Sequence, residues 1–321
     1  MKLEYKVSAD ASGQRLDKFL RKRLETLPLS HLYKLVRTKK VRVNGARAEI
    51  AQLLQQGDQI TIHVLQAAQP PPKEPKQVPQ DFGVLYEDEH LMACDKPAGL
   101  AIHPGTGLIG ATLVDEVRAY LERQGLQIPE GEFKPSPAHR LDKETSGVVI
   151  VAKTRQAMVK LTEIFSEGEA DKTYYALAKG RFQKETGSID LRLPEHQQST
   201  ENKGQRGVNM QTALTHWKKV SGGPEATLLE ITIETGRTHQ IRRHLDAIGH
   251  PVVGDGKYGD FPFNRIAQKQ WGLKRMFLHS ARLSISHPIT KKRLVLVSPL
   301  PKELLDCLPR AQIVWRPPNS A

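Results

Sequence analysis

Residues 66–80 read Gln-Ala-Ala-Gln-Pro-Pro-Pro-Lys-Glu-Pro-Lys-Gln-Val-Pro-Gln, five prolines with almost nothing apolar to bury. Proline donates no backbone hydrogen bond, and a Pro-Pro-Pro run favours an extended, semi-rigid spacer. Such a stretch cannot join a core, so the chain is expected to fold as two bodies on a tether. The expected boundaries are a small domain at 1–65, the linker at 66–80, a large domain at 81–310 and a tail at 311–321. With 321 residues in all, the larger piece has ample material for a core.

In the small piece, Leu16, Phe19, Leu20 and Leu24 fall at helical spacing, and Leu32, Leu35 and Val36 repeat the pattern after Ser30, a candidate N-cap. Alternating Val41 and Val43 followed by Asn44-Gly45 predict a short strand and a tight turn, and residues 59–64 predict another strand. Between residues 13 and 49 the cations Arg15, Lys18, Arg21, Lys22, Arg23, Lys34, Arg37, Lys39, Lys40, Arg42 and Arg47 outnumber the acids by 11 to 3. Two short helices with a cationic outer face and a basic hairpin make a surface suited to tracking phosphates. The whole chain carries 48 Lys+Arg against 35 Asp+Glu, a net charge of +13. That excess, clustered rather than spread, points to a polyanion partner.

The remaining composition narrows the class. Cys94 and Cys307, the only two cysteines, stand far apart in apolar surroundings, which argues against a disulfide framework or a cysteine metal site. No segment approaches the roughly 20 apolar residues of a membrane span, and the N-terminus has no apolar run of signal-peptide length. A soluble cytoplasmic protein is expected, with no membrane partner and as a monomer.

Residues 139–147, His-Arg-Leu-Asp-Lys-Glu-Thr-Ser-Gly, lead straight into the apolar run 148–152, which reads as a buried strand leaving a polar turn. Arg140 and Asp142 lie two apart and so share a face in extended chain, with Leu141 turned to the core. A carboxylate beside a fixed cation is a candidate nucleophile or base, although for an arbitrary R-x-D an ion-paired strand-entry turn is the commoner arrangement. Further along, residues 154–165 read as a helix with Met158, Leu161, Ile164 and Phe165 inward. Residues 171–178, including Tyr174, read as a strand, and residues 228–235 as a second one running into Gly236-Arg237-Thr238-His239-Gln240-Ile241-Arg242. The Gln-, Asn- and Gly-rich residues 195–210, with Lys203 and Arg206 among them, read either as ordinary disorder or as a mobile loop able to touch a polyanion.

Two other motif matches fall short of a site. Residues 105–110 match G-x-G-x-x-G, but Pro104 and a turn precede them, and residues 127–132, where a ribose-binding acid belongs, form a polar loop. The stretch reads as a turn feeding an amphipathic helix near 111–123. His239 and His244 are five apart with no acid between them, unlike a helical zinc pair.

His139-Arg-Leu-Asp-Lys-Glu-Thr-Ser-Gly147 resembles the H-R-L-D-x-x-T-S-G signature of the RluA-type pseudouridine synthases. The segment from Tyr86-Glu-Asp to Lys96-Pro-Ala-Gly99, the K-x-Y at 172–174, the G-R-T-H-Q-I-R at 236–242, His250-Pro and Tyr258-Gly, and His279 through His287-Pro288 follow that family's motifs in order. The first 50 or so residues resemble the RNA-binding module named after ribosomal small-subunit protein four, through R-L-D-x-F-L, S-x-x-Y-K-L-V-R and V-x-V-N-G. The resemblance implies an α+β chain: a pseudouridine synthase catalytic fold, with a mixed and mainly antiparallel sheet, flanking helices and a central cleft, plus a small N-terminal α/β RNA-binding domain.

It further implies that Asp142 is the catalytic residue, by attack on uridine or by taking a sugar proton. Arg140 would fill the stack vacated by a flipped base, Tyr174 would stack on that base, Ile241 would floor the pocket, and Arg237 would pair with Asp142. RNA would lie along Arg15, Arg21, Arg23, Lys34, Arg37, Lys39, Lys40 and Arg42. No metal or cofactor is implied. The RNA expected is large-subunit (23S) rRNA, as in the RluC-type branch, with tRNA as the alternative target. Outside the family, a metal-dependent nuclease would require clustered carboxylates, and a non-catalytic ribosome-assembly factor would share the basic module but tolerate loss of Asp142.

Overall fold

The structure, a computed structural model, describes residues 2–24, 27, 29–63, 78–104, 110–126, 132–194 and 210–317. Most of the expected linker, the glycines at 105 and 107, and the expected loop at 195–209 lie outside these residues. The chain divides into two compact units, residues 1–78 with 118–135 and residues 79–117 with 136–321. The division at 78/79 falls within the stretch expected as linker, 66–80.

The N-terminal unit contains β1 (Lys2–Lys6), α1 (Leu16–Arg23), α2 (Leu29–Arg37), β2 (Val41–Val43), β3 (Ala46–Arg47) and β4 (Gln59–His63). Its sheet runs β1-β4-β2-β3, every pair antiparallel. Leu16, Phe19 and Leu20 of α1 and Leu32, Leu35 and Val36 of α2 bury one stripe of each helix against Val41, Val43, Ile60 and Ile62. Ser30 sits inside the first turn of α2 rather than capping it. Asn44 and Gly45 take φ of 51° and 75°, the paired left-handed residues of a two-residue hairpin whose twist matches its strands. The Asn44 side chain accepts from the Gln59 N–H at 2.8 Å, tying the hairpin to β4.

From residue 79 onward come β5 (Gly83–Glu87), β6 (Leu91–Lys96), α3 (Leu113–Arg123), β7 (Ser136–Pro137), β8 (Ser146–Ala152), α4 (Arg155–Ser166) and β9 (Asp171–Lys179). Then follow β10 (Thr186–Asp190), β11 (Leu193–Pro194), β12 (Met210–Gln211), β13 (Leu214–Gly222), β14 (Ala226–Ile233) and α5 (Gln240–Ala247). The last elements are α6 (Phe261–Trp271), β15 (Leu278–Ser286), β16 (Arg293–Val297) and α7 (Lys302–Leu305). One sheet holds the unit together in the order β10-β13-β14-β9-β15-β8-β6-β5, with β16 on β15 and β7 on β8. Its described pairs are antiparallel except β8 with β15.

Central β8 is buried at all seven residues, which is why it reads as an unbroken Val/Ile run instead of alternating. Gly147, at φ +117°, lies so close to β15 that a β-carbon there would sit 2.1 Å from the Ser280 carbonyl oxygen. Only glycine fits, and the preceding loop is thereby pinned to the sheet. Helix α6 starts at Asp260, whose carboxylate accepts from the Phe263 N–H at 2.9 Å, and packs Phe263 and Trp271 into a core with Phe277, Leu304 and Leu308. Ala311 and Ile313 belong to that same core and Trp315 packs on it, so residues expected as a tail are part of the body.

Candidate active site

The loop before β8 is held at both ends. Thr145 N–H donates to the Asp142 carbonyl at 3.1 Å, closing a turn, and Leu141 is buried beneath it. Lys96, at the end of β6 and fully buried, donates from Nζ to the carbonyls of Pro97, Leu100 and Lys143 at 2.9, 2.8 and 3.0 Å. Burial pushes its pKa down to about 7, partly opposed by Glu144 and Asp142 nearby. The three carbonyls match the three N–H groups of an ammonium and bind the loop to β6. At the other end Arg275 donates from Nη2 to Ser146 Oγ at 2.9 Å, and Ser146 Oγ lies 2.9 Å from His279 Nδ1. Arginine only donates, so the serine proton goes to Nδ1, and His279 keeps its own proton on Nε2 for the Ser298 carbonyl at 2.9 Å.

His139, at the start of the loop, accepts the Ile150 N–H on Nε2 at 3.0 Å and packs on Phe165, ring centroids 4.6 Å apart. Burial pushes its pKa down to about 3, so it is a neutral structural acceptor.

Asp142 opens into a cleft lined by Arg140, Leu141, Tyr174, Ile233, Arg237, His239, Ile241, Arg242 and Leu278. Its Oδ2 accepts from Arg242 Nη1 at 2.8 Å. Arg242 faces a second carboxylate on its other edge: Nε and Nη2 donate to Asp255 Oδ2 and Oδ1 at 2.6 and 2.9 Å. Asp255 is fully buried and also accepts from the N–H groups of Lys257 and Tyr258 at 2.8 and 3.0 Å. Burial would raise the Asp255 carboxyl, but Arg242 and those two N–H groups overcome it and hold the pKa below the ordinary value. Burial likewise works against the Arg242 charge, and the two carboxylates overcome it, so its pKa rises. The guanidinium lies 5.1 Å from the Tyr258 ring centroid.

Tyr174, on β9, pairs in register with Ile231 on one side and Ser280 on the other. Burial holds its phenol up at about 12, so it presents a neutral ring. Ile241 is buried with Leu278 in the cleft, and Arg140 is exposed at it.

The structure therefore brings Asp142, Arg140, Tyr174, Ile241 and Arg237 to one cleft, with one correction. The partner of Asp142 is Arg242, not Arg237. Helix α5 begins at Gln240, so Arg237 lies before the helix and donates from Nε to the Thr212 carbonyl at 3.2 Å, while Arg242 on the first turn swings to Asp142. Gln240 anchors that start, accepting from the Arg237 N–H at 3.0 Å and donating to the Leu214 carbonyl at 2.9 Å. His244, one turn on, is buried between Thr215 Oγ1 and the Leu191 carbonyl, both at 3.0 Å, and turned to structural use.

Among the N-terminal cations, Arg21, Lys34, Arg37, Lys39 and Arg42 are exposed and Lys40 is half-buried. Arg15 is exposed but grips Asp17 with two hydrogen bonds of 3.1 and 2.9 Å. Arg23 lies over the rings of Tyr5 and Phe19, 5.0 Å from each centroid. Lys34 and Arg37 line a groove with Tyr33 and Arg47.

Residues 90–247 match the family described as RNA pseudouridylate synthase, and residues 14–60 match the S4 domain. Over 310 residues the chain is 34% identical to ribosomal large subunit pseudouridine synthase C of Vibrio cholerae, covering 94% of each chain. The protein of that name from Escherichia coli K12 is 35% identical over 312 residues, again 94% of both. Among solved structures, human RNA pseudouridylate synthase domain containing 4 superposes with a TM-score of 0.59 at 26% identity, covering 73% of this chain and 94% of that one. No helix among the described residues is long and apolar enough to cross a membrane.

Proposed function

We propose that this chain, which belongs to the RNA pseudouridine synthase family, converts specific uridines of large-subunit ribosomal RNA to pseudouridine with Asp142 as its catalytic carboxylate. The chemistry is an isomerisation. The N1–C1′ bond of uridine breaks, a C5–C1′ bond forms, and a proton leaves C5 while another is gained at N1. Atoms and electrons balance within the nucleoside.

One observation carries the reading: a carboxylate set in a cleft and held there by Arg242, which donates to one of its oxygens at 2.8 Å. Orientation before binding is where such a group gains most of its rate. Asp142 starts glycosidic cleavage by attack on the ribose or by removing a sugar proton. A uridine inside a helix is out of reach, so it must be flipped into the cleft. Tyr174 offers the flipped base a neutral aromatic face and Ile241 an apolar floor. Arg140, exposed on the loop, suits the stack the base has left, because a guanidinium covers an aromatic face and still serves a phosphate.

The exposed cations of the S4 domain supply the phosphate contacts that hold the RNA. An rRNA target of the kind named in the relatives agrees with a cytoplasmic enzyme.

The test uses unmodified large-subunit rRNA, incubated with the purified chain and mapped by chemical labelling of pseudouridine. Discrete pseudouridines are expected with the wild type and none with Asp142→Asn, which still binds the RNA. Modification of tRNA transcripts alone would move the target. A wild type that makes no pseudouridine in either RNA would overturn the proposal.

A further inference from the structure

Asp142 has two oxygens, and Arg242 accounts for Oδ2 only. The side chain facing Oδ1 is His239, whose Nε2 stands 3.7 Å away. From the far side of the imidazole, Tyr258 Oη lies 3.0 Å from Nδ1, and the two rings meet edge-on at 5.5 Å. Tyr258 also covers the Arg242 guanidinium, and its N–H binds Asp255, the other carboxylate on Arg242. Asp142, Arg242, Tyr258 and His239 thus form a ring of contacts in which the reactive carboxylate is one member.

The backbone supports this. His239 occupies the left-handed region, φ 54° and ψ 30°, at the N-cap of α5, and its side chain does not cap the helix. A residue with a β-carbon is held there at a cost of about 1 kcal/mol. Asn or Gly would sit there more easily, yet neither carries a group as far as Asp142.

We propose that His239 is a positioning residue for the reaction: braced by the Tyr258 hydroxyl, its imidazole fixes the second oxygen of Asp142, so that the carboxylate is oriented from both sides. The inference rests on Asp142 as the catalytic group and goes beyond that reading in naming what aims it. The groups around the imidazole are Asp142, Arg242, Lys257 and Asp255. Burial first, then Arg242 and Lys257, lower its pKa against the pull of the two carboxylates, so the ring is neutral and carries one N–H. When Tyr258 donates to Nδ1, that N–H is on Nε2 and faces Oδ1. A separation of 3.7 Å is too long for a hydrogen bond. It becomes one with a small turn of either side chain, as catalytic contacts tighten on substrate binding.

Two substitutions separate positioning from mere structure. His239→Asn relieves the left-handed backbone but stops short of Asp142, whereas His239→Gln keeps the reach of Nε2 and retains the strain. Positioning therefore ranks kcat as wild type, then Gln, then Asn, with the Asn variant down on the order of 100-fold and KM within about twofold. Stability ranks Asn at or above Gln. Tyr258→Phe lowers kcat in the wild type and has little further effect on His239→Asn.

A kcat for Asn equal to or above that for Gln, or losses that track melting temperature, overturn the inference. A second measurement needs no turnover: imidazole nitrogen NMR of the full chain is expected to show the Nε2–H tautomer, with shifts that move in Asp142→Asn. A Nδ1–H tautomer, or shifts indifferent to that substitution, overturns it as well. A wild type without pseudouridine activity but with the expected tautomer would sink the functional reading and leave the brace standing.

Discussion

The two units of this chain handle charge in opposite ways. In the N-terminal unit the apolar side chains take the interior, and Arg21, Lys34, Arg37 and Arg42 stand in water. In the cleft, Arg242 is buried between Asp142 and Asp255, and each member depends on the others for its partner. Cations facing solvent act on phosphates one by one through a screened potential, so their number matters more than their placement. Charges facing one another in a desolvated cleft act as a unit, and removing one strands the rest. Affinity for RNA should therefore erode gradually with substitution, and catalysis should fail all at once.

The largest effect expected is at Arg242. Arg242→Met leaves Asp255, fully buried, without its bidentate partner. An uncompensated buried carboxylate costs roughly 3–5 kcal/mol, which thermal or denaturant melts will register. Product formation should fall by on the order of 1,000-fold or more, since Asp142 also loses its fixed neighbour. Arg242→Lys sharpens the comparison, because one ammonium cannot serve two carboxylates in the geometry of the fork. Lysine there should recover more stability than activity. A methionine variant within about 1 kcal/mol of wild type would show that the cleft charges are not interlocked.

Much of the molecule is legible in its residues, and the exceptions share a cause. Strand β8 and helices α1 and α2 are legible because hydrophobic period and burial coincide in a single segment. Asp142, Tyr174 and Ile241 sit in motifs that can be read in place. Arg242 is not legible as the partner of Asp142 because G-R-T-H-Q-I-R offers two arginines, and the choice turns on where α5 begins. Ile241 and Leu245, four apart and both buried, carry a signal for that helix but do not fix its first residue. Asp255 has no such signal, since nothing in the order of residues says that a carboxylate 13 positions on returns to Arg242. Strands β10 and β13 are not legible because His216, Lys218 and Thr186 make a polar, largely exposed face with weak alternation. Local elements follow from local periodicity, whereas partners across the fold follow from topology.

The loop that carries Asp142 extends the comparison to pH. His139 must stay neutral to accept the Ile150 N–H, and its folded pKa, near 3, lies below the ordinary 6.5. Below 6.5 the unfolded chain takes a proton that the folded chain refuses. The stability from this group is therefore complete above pH 6.5 and declines as pH falls toward 3. Its share is roughly 2 kcal/mol over that window, with partial solvent access discounted from the full shift. His139→Gln keeps an acceptor for Ile150 without a titrating ring, so its stability curve should be flatter between pH 6.5 and 4 than that of the wild type. Identical slopes in chemical denaturation at matched salt would remove His139 from the acid limb.

The smallest expected effects divide the N-terminal unit itself. Arg37 is exposed on α2, and Arg37→Ala should weaken RNA binding a few-fold and reduce the slope of log K against log salt by about one, with the melting temperature unchanged. Arg23 looks equivalent in sequence but lies over Tyr5 and Phe19 at 5.0 Å from each ring. Cation–π contacts of that kind contribute about 0.5–1 kcal/mol apiece where partly exposed. Arg23→Ala should accordingly lower stability by about 1 kcal/mol and leave the salt slope nearly as it was. Filter binding over a range of salt, paired with thermal melts, separates the two. If both variants change the slope alike, Arg23 serves RNA rather than its own fold, and cations of this unit act by number after all.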